Sequence, residues 1–291
     1  MLGKVKVYEN GKMNDIDLKG QVAVITGASR GLGKAFSVAL ASHGASVGLI
    51  ARSSTNLRKV GDKIRDSGGT AVETPCDLLN QDSINAAIKN IEKELGAIDI
   101  LINNAGVAGP TGADWTLDPK EWWKVFEVNV LGQFLVSKSV ISSMVERGKG
   151  RVVNVSSAAA GVASSNYSAY CASKAALTMW TECLADEAAR QGIVVIAYHP
   201  GTVRTDMTEY SASQPEENNP IVNFIREAFE EGSDTPIAKA VESLVFVAAG
   251  GADALAGRQI DVDVDHAQWA KRVKEVYDKD LYAIRIKGFE G

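Results

Sequence analysis

The chain has 291 residues, 45% of them hydrophobic, and a formal net charge of −5. That length allows one large core or two modest ones, and an acidic balance without a Lys/Arg stripe argues against nucleic acid or an anionic membrane surface as a partner. Uninterrupted apolar stretches fall short of the ~18 residues a membrane span needs, the N-terminal MLGKVKVYENGKMNDIDLKG lacks the apolar run of a signal peptide, and Cys76, Cys171 and Cys183 show no CxxC spacing, so reduced thiols in a cytoplasmic protein are expected.

The first predicted strand, QVAVIT from Gln21, runs into TGASRGLG (Thr26 to Gly33), and a helix is predicted over 31–43. Gly27, Ser29, Arg30, Gly31, Leu32 and Gly33 thus occupy a strand-to-helix turn. Glycines there let backbone N–H groups approach a phosphate, and the helix N-terminus adds its positive end. A GxxxxGK[ST] phosphate loop is excluded, because Ala28 replaces its first glycine and Ala35 its Ser/Thr. The second strand, ASVGLI from Ala45, ends in Ala51-Arg52-Ser53. NAD-binding folds place an acidic residue there to grip the ribose 2′-hydroxyl. Arg52, Ser53 and Arg30 instead offer donors suited to a 2′-phosphate, which points to NADP(H).

Strands TAVETP from Thr70, IDILI from Ile98, RVVNVSS from Arg151, IVVIAYH from Ile193 and RQIDVDV from Arg258 follow. Helices are predicted over 54–67, 80–95, 119–147, 168–190 and 235–249. Apolar strands alternating with amphipathic helices predict the α/β class: a Rossmann-like, doubly wound parallel sheet of about seven strands with helices on both faces. Residues 1–265 read as a single domain, interrupted by a polar flap over 202–234 that contains the apolar piece IVNFIREAF. Residues 266–291 form a C-terminal extension, whose KRVKEVY reads as helix and whose DLYAIRIKGFEG reads as extended.

The segment YCASK places Tyr170 and Lys174 four residues apart, on one face of the helix over 168–190. A free tyrosine has a pKa of about 10, and lowering it to roughly 7 takes about 4 kcal/mol of preference for the phenolate. One positive charge at about 4 Å supplies that much at an effective dielectric near 20, so the pair can serve as a general acid/base near pH 7. Tyr167 lacks a lysine four positions on, and reads as a pocket wall. Cys171 has no histidine nearby in sequence to activate it, and reads as packing. His43, His199 and His266 stand far apart without Cys or His at ligand spacing, so no metal site is expected.

These signatures together resemble the short-chain dehydrogenase/reductase family over about residues 20–263. The resemblance rests on TGASRGLG at 26–33, CDL at 76–78, NNAG at 103–106, Asn129 within VNV, VSS at 155–157, YCASK at 170–174 and HPGTVRTDM at 199–207, with Ser157 thirteen positions before Tyr170. It implies an NADP(H)-dependent oxidoreductase acting on a CH–OH or C=O group. Tyr170 would exchange a proton with the substrate oxygen, Ser157 would hydrogen-bond that oxygen, and Lys174 would lower the Tyr170 pKa and grip the nicotinamide ribose. Asn129 would bind a water linking Lys174 to solvent. Asp77 and Leu78 would contact the adenine, with Asn104, Ala105 and Gly106 beside the adenosine ribose. Pro200, Gly201, Val203 and Thr205 would hold the nicotinamide. Ser156 is the nearest rival to Ser157, which the spacing to Tyr170 favours. Trp122 and Trp123 open a helix that in this family commonly forms subunit contacts, implying a homodimer or homotetramer.

The chain departs from the resemblance at its end, where RQIDVDV runs into a tail that covers a pocket, adds an edge strand or packs on its own subunit. Residues near Tyr282 to Phe289 are expected to be ordered. The pocket is expected between Val107, Ala158, Ala159, Gly161, Val162, Ala163, Tyr167 and the flap, with Tyr210, Phe224 and Phe229 above. A small apolar lining without a placed arginine suits a neutral ketone, aldehyde or secondary alcohol of moderate size. Two other functions stay open. One is reduction of a carrier-bound 3-oxoacyl group, which would want a basic patch at the mouth; the other is a non-catalytic cofactor sensor or scaffold.

Overall fold

The computed structural model describes residues 16–214, 219–263 and 266–286, apart from the side chains of 266–270. Seven parallel strands form one sheet in the order β3-β2-β1-β4-β5-β6-β7. The strands are β1 Val22–Thr26, β2 Ser46–Ala51, β3 Thr70–Pro75, β4 Ile100–Asn103, β5 Gly150–Val155, β6 Ile193–His199 and β7 Gln259–Asp261. Every residue of β1 and β4 is buried, as expected of central strands covered on both faces. Chain order reverses between β1 and β4, so their C-terminal ends open a crevice at the switch point.

The helices are α1 Gly31–Ser42, α2 Ser54–Asp66, α3 Gln81–Leu95, α4 Pro119–Phe126, α5 Gly132–Arg147, α6 Ser168–Ala189, α7 Asp206–Ala212, α8 Pro220–Glu231, α9 Ile237–Ala248 and α10 His266–Asp278. Local chemistry explains where several begin. Ser53 accepts from the Asn56 N–H, Asn80 from the Ser83 N–H, and Asp118 from the Lys120 N–H ahead of Pro119 in the first turn of α4. On one face of the sheet, Phe36 and Leu40 of α1 pack with Leu57 and Ile64 of α2 and Leu244–Ala248 of α9. On the other, Ile84 and Ile91 of α3 meet Val136, Val140 and Met144 of α5 and Ala185 and Ala188 of α6. The expected doubly wound single domain is therefore present.

Three local expectations need correction. The helix expected over 119–147 contains a wide π turn at Glu127–Leu131 between α4 and α5. The helical run Pro119–Arg147 is also long and apolar enough, by length and composition, to cross a membrane, which a search for uninterrupted apolar stretches misses. Its Asn129, Gln133, Ser137 and Met144 are buried against the rest of the domain, so here it serves as a core helix. The extended reading of the tail fails over its described part, because Asp280 (φ 50°) and Tyr282 (φ 58°) adopt left-handed backbone that interrupts a strand. Residues 287–289 of the tail expectation lie outside the described residues.

The tail packs on its own subunit. Val276 is buried in the core, the Gln259 N–H donates to the Tyr282 carbonyl at 2.9 Å, and the Tyr277 hydroxyl donates to the Ala256 carbonyl at 2.8 Å. It therefore covers the free edge of β7, as an exposed edge requires. The flap is more regular than its polar composition suggests: it holds α7 and α8, the latter formed by the IVNFIREAF piece.

Candidate active site

The glycine turn is built by steric demand. Gly27 has φ +67°, and a Cβ there would lie 2.9 Å from the Ala105 Cα. A Cβ on Gly33 would stand 2.3 Å from the Gly27 carbonyl oxygen, so only glycine lets α1 approach β1 this closely. Arg30, the residue preceding α1, provides no side-chain cap, so the first-turn N–H groups of this twelve-residue helix lack that partner. No acidic residue lies in that first turn. An uncapped helix N-terminus at the switch point fits a dinucleotide pyrophosphate.

Thr26 welds this turn to the next strand end. Its hydroxyl accepts the backbone N–H groups of Asn104 and Ala105, each at 3.0 Å, while Asn104 Nδ2 donates to the Thr26 carbonyl at 2.9 Å. Gln133 Nε2 donates to the Ala105 carbonyl from the other side. Neither Thr26 nor Gln133 was among the expected site residues. Gln133 could have been found, since it lies four residues after Asn129 on one helix face.

Beyond the C-terminal ends of β2 and β3, Arg52 and Asp77 are exposed and Leu78 is half-buried. The Asp77 carboxylate accepts the Leu79 N–H at 3.1 Å. Ser53 spends its hydroxyl on capping α2. Arg30 is ion-paired with Asp206 of the flap at 2.8 Å.

Ser157, Tyr170 and Lys174 converge at the C-terminal end of β5. The Ser157 hydroxyl accepts the Ala159 N–H at 3.2 Å, and its nearness to the Tyr170 phenol opposes the upward shift of that group. Ser156 turns the other way: it is buried, and its hydroxyl lies 2.7 Å from that of Thr178. Lys174 is buried and donates to the Val155 carbonyl at 2.8 Å, with Nζ 5.7 Å from the centre of the Tyr170 ring.

The expected softening of Tyr170 by Lys174 is not what this geometry produces. Burial pushes the Tyr170 phenol up to about 12, and the nearby Ser157 only partly opposes it. Burial also pulls the Lys174 ammonium down to about 8. Desolvation disfavours both charged forms here, and the lysine is aimed at a carbonyl oxygen rather than at the phenol.

Asn129 makes buried contacts of its own. The π turn directs its buried amide onto the chain after β4: Oδ1 accepts the Val107 N–H at 2.8 Å and Nδ2 donates to the Val107 carbonyl at 3.0 Å. Nδ2 also donates to Ser173 Oγ at 3.0 Å. A Cβ on Gly106 would lie 3.2 Å from Asn129 Oδ1 and 3.8 Å from Lys174 Nζ, so bare backbone passes between them. Asn129 thus clamps the 106–107 backbone beside the lysine.

Behind the site lies a buried polar chain that the sequence reading did not find. Asn103 Nδ2 donates to Ser137 Oγ at 2.7 Å and to Asn154 Oδ1 at 2.8 Å, and Asn154 Nδ2 donates to Thr181 Oγ1 at 2.8 Å. It ties β4 and β5 to α5 and α6, fixing the helix that carries Tyr170.

An apolar cluster lies beside Tyr170: Ala108, Ala159, Tyr167 and Cys171 pack with Met207 and Ile221 of the flap. Tyr167 is buried in this cluster, with its hydroxyl 3.0 Å from Ser211 Oγ of α7. Burial pushes the Cys171 thiol up, which suits packing rather than nucleophilic attack. Of the aromatic residues expected above the pocket, Tyr210 and Phe224 are exposed, and Phe229 sits under Arg204 at 4.0 Å. Met207 and Ile221, rather than these aromatics, pack against the cluster beside Tyr170.

Pro200 is buried and Gly201 has φ +80°, where a Cβ would collide with the Thr235 side chain. Val203 is buried. Thr205 caps α7 reciprocally with Thr208, whose hydroxyl donates to the Val203 carbonyl at 2.8 Å. These residues follow β6 and face the crevice side of the sheet. A separate surface depression, lined by Ile16, Lys19, Ala41, His43 and Gly68, lies beside the N-terminal ends of β1, β2 and β3, opposite the site.

Comparison with known proteins agrees with this geometry. The family model described as short chain dehydrogenase matches residues 21–216. A short chain dehydrogenase from Pseudocercospora fijiensis is 41% identical over 65% of this chain, a match spanning 62% of that relative's own length. A 3-oxoacyl-[acyl-carrier-protein] reductase from Synechocystis is 36% identical over 68% of this chain and 80% of the relative. Among solved structures, a gluconate 5-dehydrogenase from Burkholderia cenocepacia in complex with NADP and tartrate superposes with a TM-score of 0.77 at 26% identity, covering 89% of this chain and 98% of that one.

Proposed function

This chain is a member of the short-chain dehydrogenases, and on that premise we propose that it is an NADP(H)-dependent oxidoreductase of a neutral carbonyl or secondary alcohol, working as a homodimer or homotetramer in the cytoplasm. One observation carries the reading. Ser157, Tyr170 and Lys174 meet at the C-terminal end of β5, beside a glycine turn and an uncapped helix that fit a dinucleotide. The bound nicotinamide would supply or accept the hydride.

The chain's own residues manage the oxygen and its proton. Tyr170, held protonated by burial, donates its phenolic proton to the substrate oxygen as a carbonyl becomes an alcohol. Ser157, near that phenol, gives a second donor to the same oxygen and fixes the carbonyl in reach. Lys174 would hold the ribose hydroxyls of the bound dinucleotide and return a proton toward Tyr170. The apolar wall of Ala108, Ala159, Cys171, Met207 and Ile221 suits an uncharged substrate.

Asp77 and Leu78 would contact the adenine, and Asn104, Ala105 and Gly106 the adenosine ribose. Pro200, Gly201, Val203 and Thr205 would hold the nicotinamide. Arg52 and Arg30 supply the preference for the 2′-phosphate, a choice supported by the lack of an acidic residue at the end of β2. The three cysteines are free, in keeping with a reducing compartment. Exposed Phe134, packed edge-on against Trp180 at 6.0 Å, and exposed Met179 and Trp123 offer an apolar face for a second copy.

The Synechocystis relative supports a second reading, reduction of a carrier-bound 3-oxoacyl thioester. The test for both is a panel of neutral ketones, secondary alcohols and a 3-oxoacyl thioester, followed at the reduced-nicotinamide absorbance band with NADPH and NADH. Turnover of neutral ketones with NADPH supports the proposal; turnover of the thioester alone favours the second reading, and no turnover of any carbonyl with either cofactor would refute both.

A further inference from the structure

The corner assigned above to the 2′-phosphate holds two arginines in different states. Arg52 is exposed and, among the described residues, makes no ion pair. Arg30 is already neutralised: its Nη1 lies 2.8 Å from Asp206 Oδ2, a partner 176 residues away in sequence. The pair joins the two sides of the crevice. Arg30 immediately precedes α1, and Asp206 is the first residue of α7 in the flap. The two turns touch beside it, since a Cβ on Gly31 would stand 3.7 Å from Thr205 Cγ2.

We propose that Asp206 is a specificity-determining residue that competes with the cofactor's 2′-phosphate for Arg30 and so restrains the preference for NADP(H) over NAD(H). This rests on the reading of Arg30 and Arg52 as phosphate ligands. A guanidinium has a fixed fork of donors, and a carboxylate occupying one side of it must be displaced or shared before a phosphate can engage the fork bidentately. A dinucleotide with a bare 2′-hydroxyl asks nothing of Arg30. The carboxylate therefore weakens binding of the phosphorylated cofactor alone. Both side chains are well exposed, at 71% and 63%, which keeps the effect small and removable by substitution without disturbing the core. The same contact links cofactor identity to the flap, because the phosphate that takes Arg30 releases the first turn of α7.

The experiment measures dissociation constants of NADPH and NADH, by nucleotide fluorescence, for the full chain and for Asp206→Asn, Arg30→Ala, Arg52→Ala and the double variant of Arg30→Ala with Asp206→Asn. Asp206→Asn is expected to tighten NADPH by about two- to five-fold, the range set by an exposed ion pair, with NADH moving by less than a third of that. In the Arg30→Ala background the same substitution is expected to change neither. Equal tightening of both nucleotides, or tightening that survives loss of Arg30, would overturn the proposal. If Arg30→Ala lowers the NADPH preference while Asp206→Asn changes nothing, the competition alone is wrong. If Arg30→Ala and Arg52→Ala both leave the preference untouched, the phosphate reading beneath it fails too.

Discussion

The ammonium of Lys174 lies 5.7 Å from the centre of the Tyr170 ring and gives its hydrogen bond to the Val155 carbonyl, at 2.8 Å. The lysine is buried among uncharged groups, and burial lowers its pKa from 10.5 to about 8. Below pH 8 the folded protein therefore carries a charge it would rather lose. In the window from about 8 to 10.5 the unfolded chain binds more protons than the folded one, so this group makes stability rise with pH. Lys174→Met is expected to stabilise the protein at pH 7 by about 1–3 kcal/mol while abolishing turnover. Urea unfolding at pH 7 and pH 9.5 checks it: the advantage of the variant should shrink at the higher pH. A variant less stable than the parent at pH 7 would show that the hydrogen bond to Val155 outweighs the desolvation.

Tyr170→Phe removes only the hydroxyl that meets Ser157. NADPH affinity should stay within about two-fold, while turnover falls by at least the 10²–10⁴-fold typical of lost general acid catalysis. Tyr167→Phe provides the contrast, because its hydroxyl serves Ser211 of the flap rather than the oxygen site. Its effect should fall mainly on KM. Comparable losses of kcat in the two variants would deny Tyr170 its role.

The strands and the candidate triad were legible because each depends on local pattern. Continuous apolar runs such as VAVIT leave little choice of environment, and helical spacing alone puts Tyr170 and Lys174 on one face. What could not be read depends on burial and on contacts between distant segments. The direction of the Lys174 side chain follows from where the Val155 carbonyl lies, and the upward shift of Tyr170 from its burial. The Asn129 clamp required the π turn, and no propensity distinguishes EVNVL from ordinary helix. The chain from Ser137 through Asn103 and Asn154 to Thr181 links four elements, each of which reads as an ordinary polar interruption in sequence. In the tail, Asp280 and Tyr282 take left-handed backbone that an apolar–polar alternation concealed.

Arg52→Asp tests the adenosine corner from its unpaired side. An acidic residue at the end of β2 would repel a 2′-phosphate and accept from a 2′-hydroxyl. The NADPH dissociation constant should rise ten-fold or more, with NADH unchanged or tighter. Titration of both nucleotides checks this, and equal weakening of the two would remove Arg52 from phosphate recognition.

Glu182 on α6 anchors the C-terminal extension. Its carboxylate accepts from Arg258 at 2.6 Å and from Arg285 at 2.6 and 2.7 Å, while Arg258, only 6% exposed, stacks 4.8 Å from the Tyr277 ring centre. Asp280 shares both arginines, at 3.4 and 2.9 Å, but its contact with Arg258 is long. Glu182→Gln thus leaves a buried guanidinium without its close counter-charge, at a cost of about 2–4 kcal/mol. The hydrogen bond with Arg285 holds the Glu182 pKa below its ordinary 4.5, so its contribution is complete above that pH and fades as pH falls through the lowered value. Thermal unfolding should therefore separate parent and variant clearly at pH 7 and much less near pH 3. Removal of residues 266–291 should lower the midpoint further, because it also uncovers the β7 edge and the core site of Val276. A truncated protein that melts with the parent would mean that the extension contributes nothing to holding the fold.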